Sequence, residues 1–147
     1  LVITNVSYQV SAQTEEVITV NYTIKNIGSS TAWGSPYQAI YFSTDAVIDT
    51  GVDTYITNHY LSQNRDILPG EEVHNSVSVT IPRSVTTADY YIGVLADQYK
   101  DREGDAYGTS NSNVGDAIAI TNVYTDLVIT NVSYQVSAQT EEVITVN

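Results

Sequence analysis

Glu16-Val17-Ile18-Thr19-Val20-Asn21-Tyr22-Thr23-Ile24-Lys25 decides the fold. Apolar and polar residues nearly alternate along it, and Val, Ile, Thr and Tyr dominate, which is the pattern of a half-buried strand rather than a helix. Val73-His74-Asn75-Ser76-Val77-Ser78-Val79-Thr80-Ile81 repeats the pattern. Tyr90-Tyr91-Ile92-Gly93-Val94-Leu95-Ala96 is more continuously apolar, as a central strand requires. Turn signals fall between these runs at Asn26-Ile27-Gly28, Gly34-Ser35-Pro36, Leu68-Pro69-Gly70, Ile81-Pro82-Arg83 and Gly104 to Gly115. No segment carries an apolar stripe at helical spacing.

Working outward gives seven expected strands: A over 1–10, B over 16–25, C over 37–43, C′ or D over 54–62, E over 72–81, F over 89–97 and G over 115–124. Seven short strands separated by turns predict an all-β fold, an immunoglobulin- or fibronectin-III-like sandwich of antiparallel sheets. A β-helix is the structural competitor, and the long non-repeating stretch between the chain's two ends counts against it.

Those ends are the same. Leu1 to Asn21 returns letter for letter as Leu127 to Asn147, an offset of 126 residues, about one ordinary domain. Self-similarity at a fixed period marks a repeat array. Residues 1–126 then form one complete repeat. Residues 127–147 either begin the next with its strand A and part of B, or complete a neighbouring unit by strand addition. The second copy is too short to fold alone, since an isolated hairpin is marginal in water. The expected self-assembly segment is therefore Leu1, Val2, Ile3, Val6 and Tyr8 together with Leu127, Val128, Ile129, Val132 and Tyr134.

Composition narrows the function. The 147 residues hold 17 Asp and Glu against 5 Lys and Arg, a net charge of −12. Nucleic acid and anionic membrane both need a basic surface, so neither is an expected partner. Cysteine is absent, which excludes disulfides, thiolate metal sites and thiol nucleophiles. Methionine is absent too, and the sequence reads as a mature or internal segment. No apolar run reaches transmembrane length.

Two acidic clusters are candidate Ca²⁺ ligands: Asp45, Asp49 and Asp53 after strand C, and Asp97, Asp101, Glu103 and Asp105 after strand F. Ca²⁺ takes six to eight hard oxygen ligands, commonly from flexible loops. Two carboxylates about 4 Å apart repel by roughly 4 kcal/mol at an effective dielectric of 20, so converging several of them calls for a cation. The bland alternative is a pair of solvated loops whose carboxylates point apart. In sandwich topology the first cluster lies at the end where strand G leaves, so it could face the second cluster of the following copy and stiffen the junction.

Asn5-Val6-Ser7, Asn21-Tyr22-Thr23 and Asn131-Val132-Ser133 match the glycan acceptor pattern. Twelve tyrosines against one Phe and one Trp form a polar-tipped aromatic set. Most serve to pack, while Trp33, Tyr37 and Tyr41 are the candidate platform for stacking on surface glycans. Catalytic signals are thin. His59 and His74 are isolated on strands, and there is no nucleophile elbow, zinc-protease helix or phosphate loop.

Six short motifs in order also carry a resemblance: Asp126-Leu127-Val128-Ile129, Tyr22-Thr23-Ile24-Lys25-Asn26-Ile27-Gly28, Ile40-Tyr41-Phe42-Ser43-Thr44-Asp45, Leu68-Pro69-Gly70-Glu71, Tyr90-Tyr91-Ile92-Gly93-Val94-Leu95-Ala96-Asp97 and Asn111-Ser112-Asn113-Val114. In spacing the chain resembles CARDB, the cell-adhesion-related domain of bacterial surface proteins. The resemblance implies an immunoglobulin-like sandwich, usually in tandem on large extracellular proteins, and no catalysis. The expected function is thus a non-catalytic structural repeat of a surface fibre or adhesin, partnered by copies of itself. A glycan-binding module is the alternative, and a domain appended to a secreted hydrolase is a third reading.

Overall fold

The computed structural model describes residues 1–34, 36–61, 65–96, 111–124 and 128–133. Nine strands follow in order: β1 (Val2–Ser7), β2 (Ser11–Gln13), β3 (Val17–Lys25), β4 (Tyr37–Ser43), β5 (Thr54–Tyr60), β6 (Glu72–Thr80), β7 (Ala88–Leu95), β8 (Ser112–Val114) and β9 (Ile118–Thr121). They make two sheets. One has the order β1-β3-β6; the other runs β2-β9-β7-β4-β5, with β8 also paired to β7. Only the β2–β9 pair is parallel. This is the expected all-β immunoglobulin-like sandwich.

The alternation in β3 does what the sequence predicts: Ile18, Val20, Tyr22 and Ile24 are buried, while Val17, Thr19 and Asn21 face out. They meet Ile40 and Phe42 of β4, Ile92 and Val94 of β7 and Ile118 and Ile120 of β9 in one core. β4 is buried from Gln38 to Ser43, because β5 and β7 flank it and its outer face is also covered. Part of that cover is Ile48, which lies against Gly93. A Cβ there would stand 2.2 Å from Ile48 Cδ1, so the glycine is what lets the 44–53 loop fold back over the sheet.

Two expected strands differ. Strand A was read as one piece over 1–10, but it divides. β1 pairs with β3 in the first sheet and β2 joins β9 in the second. Tyr8 sits at the crossing, where its hydroxyl donates to Asp116 O (2.7 Å) and accepts from Ile92 N–H (2.9 Å). A register slip between Ile3 and Asn5 turns both Ile3 and Val6 inward, which plain alternation would forbid. Strand G shortens to Ile118–Thr121, and β8 forms just before it. Gly115 separates the two because the Tyr8 ring occupies the space where its Cβ would be.

Strand directions define two ends. β1 and β2 run the same way, β9 is parallel to β2, and β7 is antiparallel to β9. The chain therefore starts at one end, here the head, and β9 finishes at the other, the tail. The 44–53 loop between β4 and β5 is at the tail. The chain between β7 and β8 leaves from the head.

Candidate functional site: the two ends of the sandwich

At the head the first copy of the duplicated sequence is structural. Leu1, Ile3 and Val6 are buried, with Ile3 4% and Val6 7% exposed, and β1 lies antiparallel on β3. Asn113 Nδ2 reaches Ile3 O at 3.4 Å and ties β1 to the opposite sheet. The second copy lies differently. Residues 128–133 belong to neither sheet, Ile129 is 81% exposed and Val132 57%, and Val128 is also exposed. Leu127 and Tyr134 lie outside the described residues. The sandwich is thus closed by its own first strand and not by the duplicate.

Neighbouring head loops are held by Asn26, a residue the sequence reading used only as strand punctuation. It is buried. Its Nδ2 donates to Ser30 O (2.8 Å) and Ile67 O (2.9 Å), and its Oδ1 accepts from Gly28 N–H (3.0 Å). Its backbone bonds Glu71 O and Gly70 N–H. Leu68-Pro69-Gly70-Glu71 closes a turn through Glu71 N–H to Leu68 O (3.0 Å), with Gly70 at φ 78°, where a glycine is favoured. The Glu71 carboxylate accepts from Leu68 N–H and pairs with Arg65, and these hold it below the usual carboxylate range.

At the tail the departing chain is fastened to the β2–β3 turn. Thr14 N–H donates to Thr121 O (3.1 Å), and Val123 N–H donates to Thr14 Oγ1 (3.0 Å). Glu16 closes that turn by accepting from Gln13 N–H and Gln9 Nε2, both at 2.8 Å, and the same bonds lower its pKa. Tyr124 beyond it is exposed.

Asp45, Asp49 and Asp53 all lie in the tail loop, but each carboxylate serves its own backbone. Asp45 Oδ1 accepts from Val47 N–H (2.9 Å), Asp49 Oδ1 from Gly51 N–H (2.8 Å) and Asp53 Oδ2 from Asp49 N–H (2.7 Å). Among the described residues no three acidic or imidazole groups are placed to share a metal ion. These three aspartates therefore do not make a site by themselves. Asp97, Asp101, Glu103 and Asp105 lie outside the described residues.

The glycan candidates fare unevenly. Trp33 is 66% exposed, and Tyr37 stacks on Tyr60 with ring centroids 3.6 Å apart. Tyr41, only 5% exposed, stands edge-on to Tyr55 at 5.8 Å and offers no open ring face, so the three rings form no common platform. Asn5, Asn21 and Asn131 are exposed, the first two side by side in the outer face of β1 and β3. Both histidines are absorbed into packing. His59 Nδ1 lies 2.6 Å from Tyr22 Oη, which donates to Gln38 Oε1 (3.1 Å), and His74 Nδ1 lies 2.9 Å from Thr23 Oγ1. An open groove of about 510 Å³ separates β5 from β6, between the outer edges of the two sheets.

The same two-sheet arrangement occurs in the CARDB domain of a Pyrococcus furiosus protein, solved in complex with di-metal ions. It matches at a TM-score of 0.54 over 79% of this chain and 84% of that one, with 12% identity. This sandwich has the CARDB fold. A solution structure of the same CARDB domain agrees, at 0.54 and 14% identity over 80% and 92% of the two chains. A β-glucosidase from Listeria innocua, complexed with isofagomine, carries a similar fold in a small part of its length. That match has a TM-score of 0.51 and 15% identity, over 81% of this chain and 16% of the enzyme. No protein-family profile matches the chain, and no curated protein does. Among the described residues no helix of this CARDB-like chain is long and apolar enough to cross a membrane.

Proposed function

We propose that this CARDB-like domain is a non-catalytic structural repeat that joins copies of itself head to tail in an extracellular fibre or large adhesin. One observation carries the reading. The chain starts at the head of the sandwich, β9 ends at the tail, and the sequence that follows repeats the one that began it. A unit built this way passes the chain on in line rather than folding it back. Head-to-tail contacts of this kind do not close and give open arrays.

Ion stiffening of the junction is a finer part of the proposal. Its support is the position of Asp45, Asp49 and Asp53 at the tail, and the metal ions of the Pyrococcus relative. The ligands missing from the tail would come from the head of the next unit. Electron microscopy of a chain carrying three successive 126-residue units tests both parts. Beads in a straight row at domain-length spacing support the array, and kinked rows in chelator support the ion. Collapsed three-domain clusters would remove the proposal, and rows unaltered by chelator would remove the ion alone.

A further inference from the structure

Residues 128–133, Val-Ile-Thr-Asn-Val-Ser, repeat β1 residue for residue but lie exposed outside both sheets. We propose that they are a donor strand for a second copy of this chain, taking the place of β1 against β3 of that copy. This rests on the head-to-tail reading and names the contact through which it works.

The receiving surface is specified by the structure. β1 is an edge strand that bonds only β3 within its sheet, so its release breaks no central ladder. Its two inward residues are Ile3 and Val6, brought to one face by the slip between Ile3 and Asn5. Ile129 and Val132 have the same spacing, with the same Thr-Asn between them that accommodates the slip. No other segment of the chain has this sequence, and a one-residue misregister would turn the apolar pair outward.

The chain cannot serve itself. Thr121 lies beside Gln13 at the tail, whereas Val128 would have to lie where Val2 does, opposite Lys25 at the head. The head and tail are separated by the length of β3, eight steps from Val17 to Lys25, or about 27 Å. Seven residues from Thr121 span at most about 25 Å fully extended, and they would then have to reverse direction. A second molecule is the occupant that the geometry leaves.

Exchange swaps identical contacts, so neither strand wins on contact energy. The resident strand is favoured by its tether, and the donor gains with concentration or when β1 is weakened.

That asymmetry is the test. The full chain carries Ile3→Asp and Val6→Asp, which spoil its own β1 and leave residues 128–133 intact. It also carries Asn21→Cys and Ser133→Cys. Ser7 faces Asn21 across the β1–β3 pair, so Ser133 in the exchanged position faces Asn21 of the second molecule. Cα atoms in such pairs are about 4.5–5.5 Å apart, within disulfide reach, and the chain has no cysteine of its own to interfere. The expected result is an oxidised ladder of dimers and higher species. Mixed isotope labelling should show the 21–133 bridge between different molecules, and adding Ile129→Asp and Val132→Asp should abolish it. A bridge only within one molecule, a monomer without bridges, or an unfolded chain that fails to assemble overturns the proposal. A Ser7→Cys, Asn21→Cys chain with native β1 should close its bridge internally and confirm the register. Covalently linked three-unit chains do not depend on this exchange, so their behaviour reports on the array reading separately.

Discussion

Val6 and Val132 occupy the same place in two identical 21-residue sequences, yet Val6 is 7% exposed and Val132 57%. Local sequence cannot make that difference. The first copy lies on β3 and under Asn113, and the second has no sheet beside it. Burial here is set by what the neighbouring strands supply.

Stability should therefore respond to one copy and ignore the other. Ile3→Ala removes a buried side chain and is expected to lower unfolding free energy by about 2–4 kcal/mol. Ile129→Ala should change it by no more than about 0.5 kcal/mol in dilute solution. Urea unfolding of the two variants compares them directly; equal losses would mean that both copies are packed.

Asn26→Ala should cost about 2–3 kcal/mol. The substitution deletes three side-chain hydrogen bonds and leaves Gly28 N–H, Ser30 O and Ile67 O without that partner. Hydrogen exchange should show the loss first in the head loops. A variant as stable as the parent would show that water replaces the amide freely.

Tyr8 and Gly115 form a pair in which each constrains the other. Tyr8→Phe deprives Ile92 N–H of its acceptor and should lower stability by about 1–2 kcal/mol. Gly115→Ala is expected to cost more, since its Cβ would lie 2.6 Å from a Tyr8 ring that two hydrogen bonds hold in place. Calorimetric midpoints in that order support the clamp, and the reverse order contradicts it.

Acid should act in two stages. Burial lowers the His59 pKa below its ordinary 6.5, so the folded state binds fewer protons there than the unfolded state. The stability this gives is fully present above pH 6.5 and declines as pH falls from there toward the lower folded pKa. Glu16, Glu71 and Glu72 are also lowered, from 4.5, by their hydrogen-bond partners, so their contribution fades only below pH 4.5. His59→Gln should flatten the first stage and leave the second. Melting temperatures across pH 3–8 read both stages, and an unchanged first stage in the variant would exclude His59 as its source.

The strands were legible because their alternation is the period of a sheet, and C over 37–43 coincides with β4. Strand A was misread as one piece because its division depends on Tyr8 reaching Ile92 and Asp116, more than eighty residues away. β8 went unseen since Ser112–Val114 is too short for any periodicity to show. Of the candidate sites, the duplicated ends were visible as plain identity. Convergence of Asp45, Asp49 and Asp53 could not be read from spacing, because the turns that bind each carboxylate to its own backbone exist only in three dimensions. Asn26 carried no signal beyond its place at a strand end. Its role comes from burial beside Ile67, forty-one residues on.

Small-angle scattering from chains of one, two and three successive 126-residue units tests the central claim most directly. If the sandwich passes the chain from head to tail in line, the maximum dimension grows by a near-constant increment of about 30–40 Å per unit, set by the length of β3 and its loops. An increment that falls sharply with each added unit, as when domains pack side by side, would contradict it.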